Sequence, residues 1–279
     1  MSNVIACVDA HVHLHSCYDP DDLLQNAYDN LAAAAEGSGR TAPKAYFLLL
    51  AECASDDCFG ALRALAQQPD PSNGASGLRL RRWAVAPTEE TVSVRVRQAQ
   101  RQLFIVAGRQ VACREGLEVL VLGTTHRFAD GRPIREVLRE ADALGVPRVI
   151  PWGPGKWFFS RGRLLKDLIQ EFRKPTLFLG DEGGRPVFWG YPQHFTHAAR
   201  LGVRDLPGTD PLPFPHDVRK VGRMGFKVAI DLDPARPGES LLRSLTRAAA
   251  PLERFATLEP PLRFVRNQIG MQLRKRLHA

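Results

Sequence analysis

Short apolar runs recur along the chain, and most of them end in glycine or polar residues before helical periodicity begins. Runs of this length, bounded by turn residues, are typical of buried strands. The strand-like runs are residues 4–8, 45–51, 117–122, 149–150, 176–179 and 203–206, and helical patterns cover residues 19–36, 55–68, 133–144 and 164–172. Buried strands joined by helices predict a mostly parallel sheet, wound open or closed into a barrel. In a barrel the functional residues lie at the carboxyl ends of the strands.

Two parts of the chain depart from this alternation. Residues 92–97 alternate in polarity and, with the apolar run at 102–107, predict a β-hairpin with one face in water. A strand-like run at 226–230 precedes helical patterns at 237–255 and 262–277. We therefore predict an α/β unit with a β-hairpin insertion in residues 1–225, its sheet either open or closed into a barrel. Residues 226–279 are expected to form a C-terminal strand and helical extension that packs on the barrel.

The segment DAHVHLH, residues 9–15, directly follows the first apolar run. Residues two apart on a strand point to the same face, so His11, His13 and His15 can converge. Imidazole is the commonest metal ligand, and carboxylates from other strand ends would complete a mixed site that suits Zn, Mn or Fe. The alternative is a partly exposed strand end whose histidines only form hydrogen bonds. The position behind a buried strand favours metal ligands.

Charge and composition constrain the partners. A net charge of +8 and a pI near 9.6 favour anionic partners, either phosphorylated small molecules or nucleic acid. The arginines are spread widely, which favours a solvated basic surface over nucleic-acid binding. No apolar run approaches the ~20 residues that span a bilayer, so no membrane association is expected. Five cysteines without a CxxC pair, and no signal-like N-terminus, predict a cytoplasmic location.

A glycine-rich loop, WGPGKW at residues 152–157, is the best candidate for an anion site. Its glycines allow backbone N–H groups to approach a ligand, and Lys156 with Arg161 can supply charge-assisted hydrogen bonds. The alternative is a turn whose tryptophans pack on the core while the arginines face water. The segment DEGGR, residues 181–185, is similar: a carboxylate pair and Arg185 at a strand end, or a plain turn.

DAHVHLH resembles the opening of the amidohydrolase-type and PHP-type (polymerase and histidinol phosphatase) metal hydrolases, whose first strand ends in His-x-His. The resemblance to the PHP family continues in chain order through LLLAEC (48–53), AGRQ (107–110), LEVLVLG (117–123), VIPW (149–152) and GTDP (208–211). It covers roughly residues 4–215. It implies a distorted, TIM-like barrel, a divalent metal cofactor and hydrolysis of a phosphate ester or another small anionic substrate.

Five positions where the PHP family has metal ligands carry other residues, namely Cys53, Gln110, Glu118, Trp152 and Leu212. His11, His13 and Asp210 remain. The resemblance therefore implies a reduced site for one ion, with Glu52, Glu118 or Asp181 in support. Such an ion would activate water and polarise a phosphoryl or carbonyl oxygen.

A bound metal ion would give roles to individual side chains. Asp210 would act as a ligand or general base, and His15 or His126 could protonate the leaving group. Lys156, Arg161 and Arg185 would bind the anionic substrate. A second interpretation is a catalytically degenerate barrel that binds a ligand or a protein partner, which the replaced positions favour. Nucleic-acid binding by the basic surface is a third.

Overall fold

The computed structural model describes residues 2–36, 42–67, 78–247 and 251–277. The strands are β1 (Ser2–Val12), β2 (Lys44–Leu50), β3 (Ala84–Pro87), β4 (Ser93–Gln98), β5 (Arg101–Val106), β6 (Gly108–Ala112), β7 (Glu118–Leu122), β8 (Arg148–Pro151), β9 (Leu177–Glu182), β10 (Arg204–Gly208), β11 (Gly225–Leu232) and β12 (Glu253–Phe255). The helices are α1 (Pro20–Glu36), α2 (Cys58–Gln67), α3 (Ile134–Ala143), α4 (Phe159–Phe172), α5 (Gln193–Arg200), α6 (Pro237–Thr246) and α7 (Pro261–Leu277), with a 3₁₀ helix at Pro215–Lys220.

The described strands form two sheets, which makes the protein a mixed α/β structure. One sheet has the order β12-β11-β1-β2-β5-β4-β3, and the other has the order β10-β9-β8-β7-β6. The pairs β1–β2, β2–β5, β8–β9 and β9–β10 are parallel. The predicted hairpin is present as β4 and β5, and β5 joins β2 directly, so the hairpin belongs to the sheet.

Several strands run against the predicted parallel order. Both β6 and β8 pair antiparallel with β7, so the carboxyl end of β7 lies at the opposite edge from those of β8, β9 and β10. β11 also pairs antiparallel with β1, over seven residues. The helix predicted over 237–255 ends at Thr246, because Glu253–Phe255 pairs with β11 as a strand. Residues 248–250 of that prediction, like residue 68 of the helix predicted at 55–68, lie outside the described residues.

The hydrogen-bond ladders of the described strands do not close into one barrel, so a TIM-like barrel is not confirmed. The two sheets nevertheless touch at two glycines. A Cβ at Gly208 would lie 2.5 Å from the backbone nitrogen of His11, and a Cβ at Gly108 would lie 2.2 Å from the carbonyl oxygen of Leu50. Only glycine permits this approach, which brings the ends of β1, β2, β6 and β10 together.

The first strand is buried on both faces, which explains its continuous apolar run. Ala6 and Val8 belong to the core between the two sheets, whereas Ile5 and Cys7 pack with Leu31 of α1. In the described part of the chain, no helix is both long and apolar enough to cross a membrane.

Candidate metal centre

A β-bulge directs His11 into the space between the two sheets. The pairing of β1 with β2 shifts register between Asp9 and Val12. An extra residue in a strand moves the side chains that follow to the other face. Val12 accordingly packs with the α1 side of the sheet, and His11 reaches Glu182 on β9. Both His11 and His13 are buried.

Three potential ligand atoms converge where β1 meets β10. His11 Nε2 lies 3.0 Å from His13 Nε2, and Asp210 Oδ1 lies 3.6 Å from His11 Nε2 and 3.5 Å from His13 Nε2. Metal bonds of ~2.0–2.1 Å in tetrahedral geometry separate ligand atoms by about 3.3 Å. The spacing therefore fits one ion between His11, His13 and Asp210, the group that could hold a metal among the described residues.

A carboxylate on β9 fixes the tautomer of His11. Nδ1 of His11 lies 2.9 Å from Glu182 Oε2, and both side chains are buried. The carboxylate accepts the Nδ1 hydrogen of a neutral ring, which leaves the lone pair on Nε2, the atom that faces His13 and Asp210. This is the carboxylate–histidine arrangement that orients metal ligands in proteins. The amide of Gln110 lies 3.0 Å from the same Nε2.

The third member, Asp210, has a backbone conformation that L-residues seldom adopt. Its φ is +46°, in the left-handed region, and its N–H donates to the carbonyl oxygen of His11 over 2.9 Å. Aspartate tolerates this conformation better than most residues, and such outliers cluster at functional sites. The left-handed turn places the carboxylate beside the two imidazoles directly after β10.

Asp9 joins the segments that carry the three side chains. It is fully buried, and its carboxylate accepts hydrogen bonds from the N–H groups of His11, Thr209 and Gly222 and from the Thr209 hydroxyl. One carboxylate thus ties the end of β1 to the residue that precedes Asp210. Asp9 is therefore a positioning residue for the group.

The protonated imidazoles and the carboxylates of the group stabilise each other's charged forms. Burial lowers the pKa of His11, but the carboxylates of Glu182 and Asp210 outweigh burial and raise it to about 10. Burial also opposes protonation of His13, yet hydrogen bonds to Asp210 and Cys53 raise its pKa to about 9. Burial raises the pKa of Asp210, but the two imidazoles hold it below its usual range. A metal ion must therefore displace protons when it binds.

His15 lies next to the group but is suited to a role other than the predicted one. Its ring stacks on that of His13 with centroids 5.2 Å apart, and its Nε2 lies 2.9 Å from the carbonyl oxygen of Pro211. A carbonyl can only accept, so Nε2 carries the hydrogen and Nδ1 keeps a lone pair. Burial, followed by the charge of His13, lowers the pKa of His15. A neutral His15 accepts a proton more readily than it donates one.

The alternative proton donor, His126, is far from the group. Because β7 runs antiparallel to β8, the residues that follow β7 lie at the opposite edge of the sheet. His126 Nε2 instead lies 2.7 Å from the Glu140 carboxylate on α3. His126 therefore does not belong to the His11, His13 and Asp210 group, and we do not include it in the proposed site.

The other predicted carboxylate ligands are occupied by cations. Glu52 Oε2 lies 3.0 Å from Arg109 Nη1, and both residues are buried. Asp181 accepts hydrogen bonds from Arg185 Nε and Nη2 and from Arg254. Glu118 lies at the start of β7, where its Oε2 is 2.5 Å from Lys156 Nζ. None of these three carboxylates belongs to the His11, His13 and Asp210 group.

The predicted anion-binding residues have different surroundings. Trp152 and Trp157 are buried, as expected for a turn that packs on the core. Arg161 donates to the carbonyl oxygen of Gly155, and the buried Arg185 is held by Asp181. Lys156 remains partly exposed.

Sequence patterns missed Glu182, which contacts His11 from 171 positions further along the chain. Glu182 follows Asp181 in the DEGGR segment, and strand alternation places the two carboxylates on opposite faces of β9. The strand predicted over residues 176–179 extends through Glu182 in the structure. Extending the prediction by these three residues would have placed Glu182 on the face of β9 opposite Asp181.

Comparisons with known proteins support the fold. No family model matches the chain, and no curated protein matches it. The crystal structure of PsfC from Pseudomonas syringae PB-5123 is similar over 98% of this chain and 99% of that chain, with a TM-score of 0.53 and 16% identity. The crystal structure of the novel lesion-specific endonuclease PfuEndoQ from Pyrococcus furiosus is similar over 89% of this chain, with a TM-score of 0.50 and 12% identity.

These likenesses concern the fold alone, because both sequence identities are low. The chain spans 58% of the length of the endonuclease, and nearly all of PsfC. The protein therefore shares a mixed α/β architecture with two solved structures, one of which is an endonuclease. Membership of the PHP family stays a prediction.

Proposed function

We propose that the protein is a metal-dependent hydrolase that acts on a phosphate ester or another small anionic substrate. The observation that carries this proposal is the convergence of His11 Nε2, His13 Nε2 and Asp210 Oδ1 on one point, with Glu182 fixing the tautomer of His11. Two imidazoles and a carboxylate form a mixed nitrogen and oxygen donor set that suits Zn, Mn or Fe. One of the structures with a similar fold is a lesion-specific endonuclease, which is compatible with a phosphate-ester substrate.

We further propose that the two sheets together form a distorted, PHP-like barrel over residues 1–225, extended by residues 226–279. Support comes from the two junctions. Asp210 N–H donates to the carbonyl oxygen of His11 at one, and Glu52 N–H donates to the carbonyl oxygen of Gly108 at the other. These bonds link β10 to β1 and β2 to β6, which would complete a ring of strands around a common core.

The chemistry that a divalent ion supplies when bound is Lewis acidity toward water and toward a phosphoryl or carbonyl oxygen. His15 is oriented to accept a proton from water or substrate at Nδ1, because its Nε2 hydrogen is held by Pro211. Asp210 is a ligand in this proposal. Lys156 is the cation that can attract an anionic substrate, since it can exchange its Glu118 contact for the substrate.

The proposed ligand set is smaller than the sequence predicted. Glu52 and Asp181 are excluded because Arg109, Arg185 and Arg254 already neutralise them. Glu118 is excluded because it pairs with Lys156. Arg185 is excluded from substrate binding because it is buried against Asp181, and Arg161 because its guanidinium is held by Gly155.

The second candidate is a catalytically degenerate barrel that binds a ligand or a protein partner. The arginine pairs of Glu52 and Asp181 favour this second candidate. They leave only His11, His13 and Asp210 as metal ligands among the described residues, whereas the resemblance to the PHP family implies a larger set of ligands. A nucleic-acid substrate and a cytoplasmic location stay predictions.

Metal analysis of protein purified without a histidine tag tests the proposal. The wild type is expected to hold about one divalent ion per chain, whereas His11→Ala and Asp210→Ala are expected to hold none. His126→Ala is the matched control, since that histidine lies at the opposite edge and should leave uptake unchanged. Stoichiometric metal in the His11→Ala/Asp210→Ala double variant would refute the site.

Activity separates the two candidates. The metal-loaded protein is expected to hydrolyse 4-nitrophenyl phosphate or bis(4-nitrophenyl) phosphate, and both activities should disappear in Asp210→Ala and persist in His126→Ala. Metal uptake without hydrolysis of a wide panel of phosphomonoesters, phosphodiesters and single-stranded DNA would favour the degenerate barrel.

A further inference from the structure

The last helix of the chain, α7, is oriented with its apolar side outward. Its buried side contains Asn267, which is only 3% exposed, and Gly270 lies against the ring of Phe214. Arg274 on the same side donates to the carbonyl oxygen of Pro213. A surface helix of a water-soluble protein normally shows the reverse arrangement, with polar residues outside.

The outward side carries four large apolar residues. Leu262 is 88% exposed, Val265 is 52%, and Ile269 and Leu273 are each 56%. Their spacing of three, four and four residues places them within about 80° of one another around the helix axis, roughly opposite Asn267. We name these four residues the exposed stripe. It runs about 16 Å along the helix.

The charge of α7 decides which occupant fits the exposed stripe. The helix sequence contains Arg263, Arg266, Arg274, Lys275 and Arg276 and no acidic residue. A second copy of this helix would oppose two sets of like charges, so it does not suit the stripe. A nucleic acid would contact the cations but leave the four apolar side chains in water. The occupant must therefore be apolar in its interior and negatively charged at its surface.

We propose that α7 is a docking helix for an anionic phospholipid surface. This departs from the expectation of no membrane association, which rested on the length that spans a bilayer, because a helix that lies in the interface does not need that length. A narrow apolar stripe on a strongly basic helix is the pattern of helices that lie in the plane of a bilayer interface. The apolar side chains enter the boundary of the acyl chains, and the arginines beside them contact anionic headgroups. The inference is independent of the proposed hydrolase function, because none of the stripe residues contacts the metal group.

Co-sedimentation of the full chain with vesicles tests this inference. Vesicles of phosphatidylcholine with one third phosphatidylglycerol are compared with vesicles of phosphatidylcholine alone, at low and high salt. We expect binding to the anionic vesicles only, weakened by salt because headgroup attraction is screened. No binding to the anionic vesicles at low salt would overturn the proposal.

Two variants separate insertion from electrostatic adsorption. Leu262→Ser/Ile269→Ser/Leu273→Ser keeps every charge and should weaken binding by at least about tenfold. Arg266→Gln/Arg276→Gln removes the two cations nearest the stripe, keeps its four apolar residues and should weaken binding about fivefold for each charge removed. Phe159→Ser is the matched control, because Phe159 is 87% exposed but lies on α4, and it should bind as the wild type does.

The remaining occupants are outcomes of the same experiment. Equal binding by the wild type and the triple serine variant would overturn the proposal in favour of simple adsorption. A dimer in light scattering that the triple variant abolishes would overturn it in favour of a second copy. The single variant Ile269→Ser is the safeguard against misfolding, and circular dichroism with a melting curve checks each variant.

Discussion

Asp210 and Asp181 are both acidic residues at the carboxyl ends of neighbouring parallel strands, yet they have opposite surroundings. Asp181 accepts hydrogen bonds from Arg185 over 2.8 and 2.9 Å and also from Arg254. Asp210 faces two imidazoles at 3.5 and 3.6 Å, and the described residues place no guanidinium within ion-pair distance of it. Position at a strand end therefore does not make a carboxylate a metal ligand.

The difference lies in the cation that each carboxylate meets. An arginine stays protonated throughout the physiological range, so its pair with Asp181 is permanent and leaves no charge for a metal to satisfy. An imidazole can lose its proton and then donates a lone pair to the same ion that the carboxylate binds.

Asp181→Ala should destabilise the protein strongly without affecting metal uptake. Removing the carboxylate leaves the buried Arg185 without its partner, which costs about 3–5 kcal/mol in the free energy of unfolding. Asp210→Ala should have the reverse pattern, with metal uptake lost and, at about pH 10, where the two imidazoles lose their protons, a much smaller change in the stability of the metal-free protein. Urea unfolding in the presence of a chelator, together with metal analysis, measures both. Equal destabilisation by the two variants would contradict the contrast.

Glu182→Gln should weaken metal binding by about 10- to 100-fold, because the carboxylate that orients His11 becomes a neutral amide. Glu118→Gln is the matched control, since Glu118 is a carboxylate at the same edge whose partner is Lys156. Its metal affinity should stay within about threefold of the wild type. Competition with a chromophoric chelator gives both affinities, and a similar loss in the two variants would remove Glu182 from the site.

The sequence could predict His11, His13 and Asp210 because a buried strand and a close set of polar residues are local signals. Local signals could not reveal the bulge between Asp9 and Val12, which turns His11 toward β9. Nor could they reveal that β7 runs antiparallel to β8. This direction places His126, which follows β7, away from the metal group, and places Glu118, which begins β7, on the same side of the sheet as the group. Arg109 and Arg254, which pair with Glu52 and Asp181, come from other strands, and such pairings depend on tertiary structure. Arg185 lies only four residues after Asp181, so that pair is the local exception.

The metal-free protein should lose stability as the pH rises from about 7 to 10. Glu182 and Asp210 raise the pKa of His11 to about 10 in the folded state, above the ordinary value of ~6.5. The folded protein therefore binds more protons than the unfolded chain in this range, and the stabilisation is present below ~6.5 and lost as the pH passes about 10. One such group gives a slope of at most about 1.4 kcal/mol per pH unit.

His11→Asn should reduce this slope without abolishing it, because asparagine does not titrate, whereas His13, with a pKa of about 9, still loses its proton in the same range. Urea unfolding at several pH values, with a chelator present, measures it for the wild type and the variant. The arginine pairs of Asp181 provide no comparable slope, since the guanidinium does not lose its proton in this range. A slope that is equal in the wild type and His11→Asn would show that the imidazole does not hold the extra proton.

Lys156→Gln should have the smallest effect on stability. It should strengthen metal binding and weaken the binding of an anionic substrate. Lys156 is a cation near Asp210, but unlike the buried Arg185 it is partly exposed, and among the described residues its ion pair is with Glu118. Its loss should change the free energy of unfolding by less than about 1 kcal/mol, as for other partly exposed ion pairs.

The positive charge of Lys156 stabilises the ionised carboxylate of Asp210. A metal ion would neutralise that carboxylate and so lose this stabilisation, and removing Lys156 should therefore strengthen metal binding slightly. An anionic substrate should bind more weakly, so KM for 4-nitrophenyl phosphate should rise a few-fold while kcat changes little. A fall in metal affinity in this variant would mean that Lys156 supports the site as the arginines support Asp181, and the contrast between a fixed and an exchangeable cation would fail.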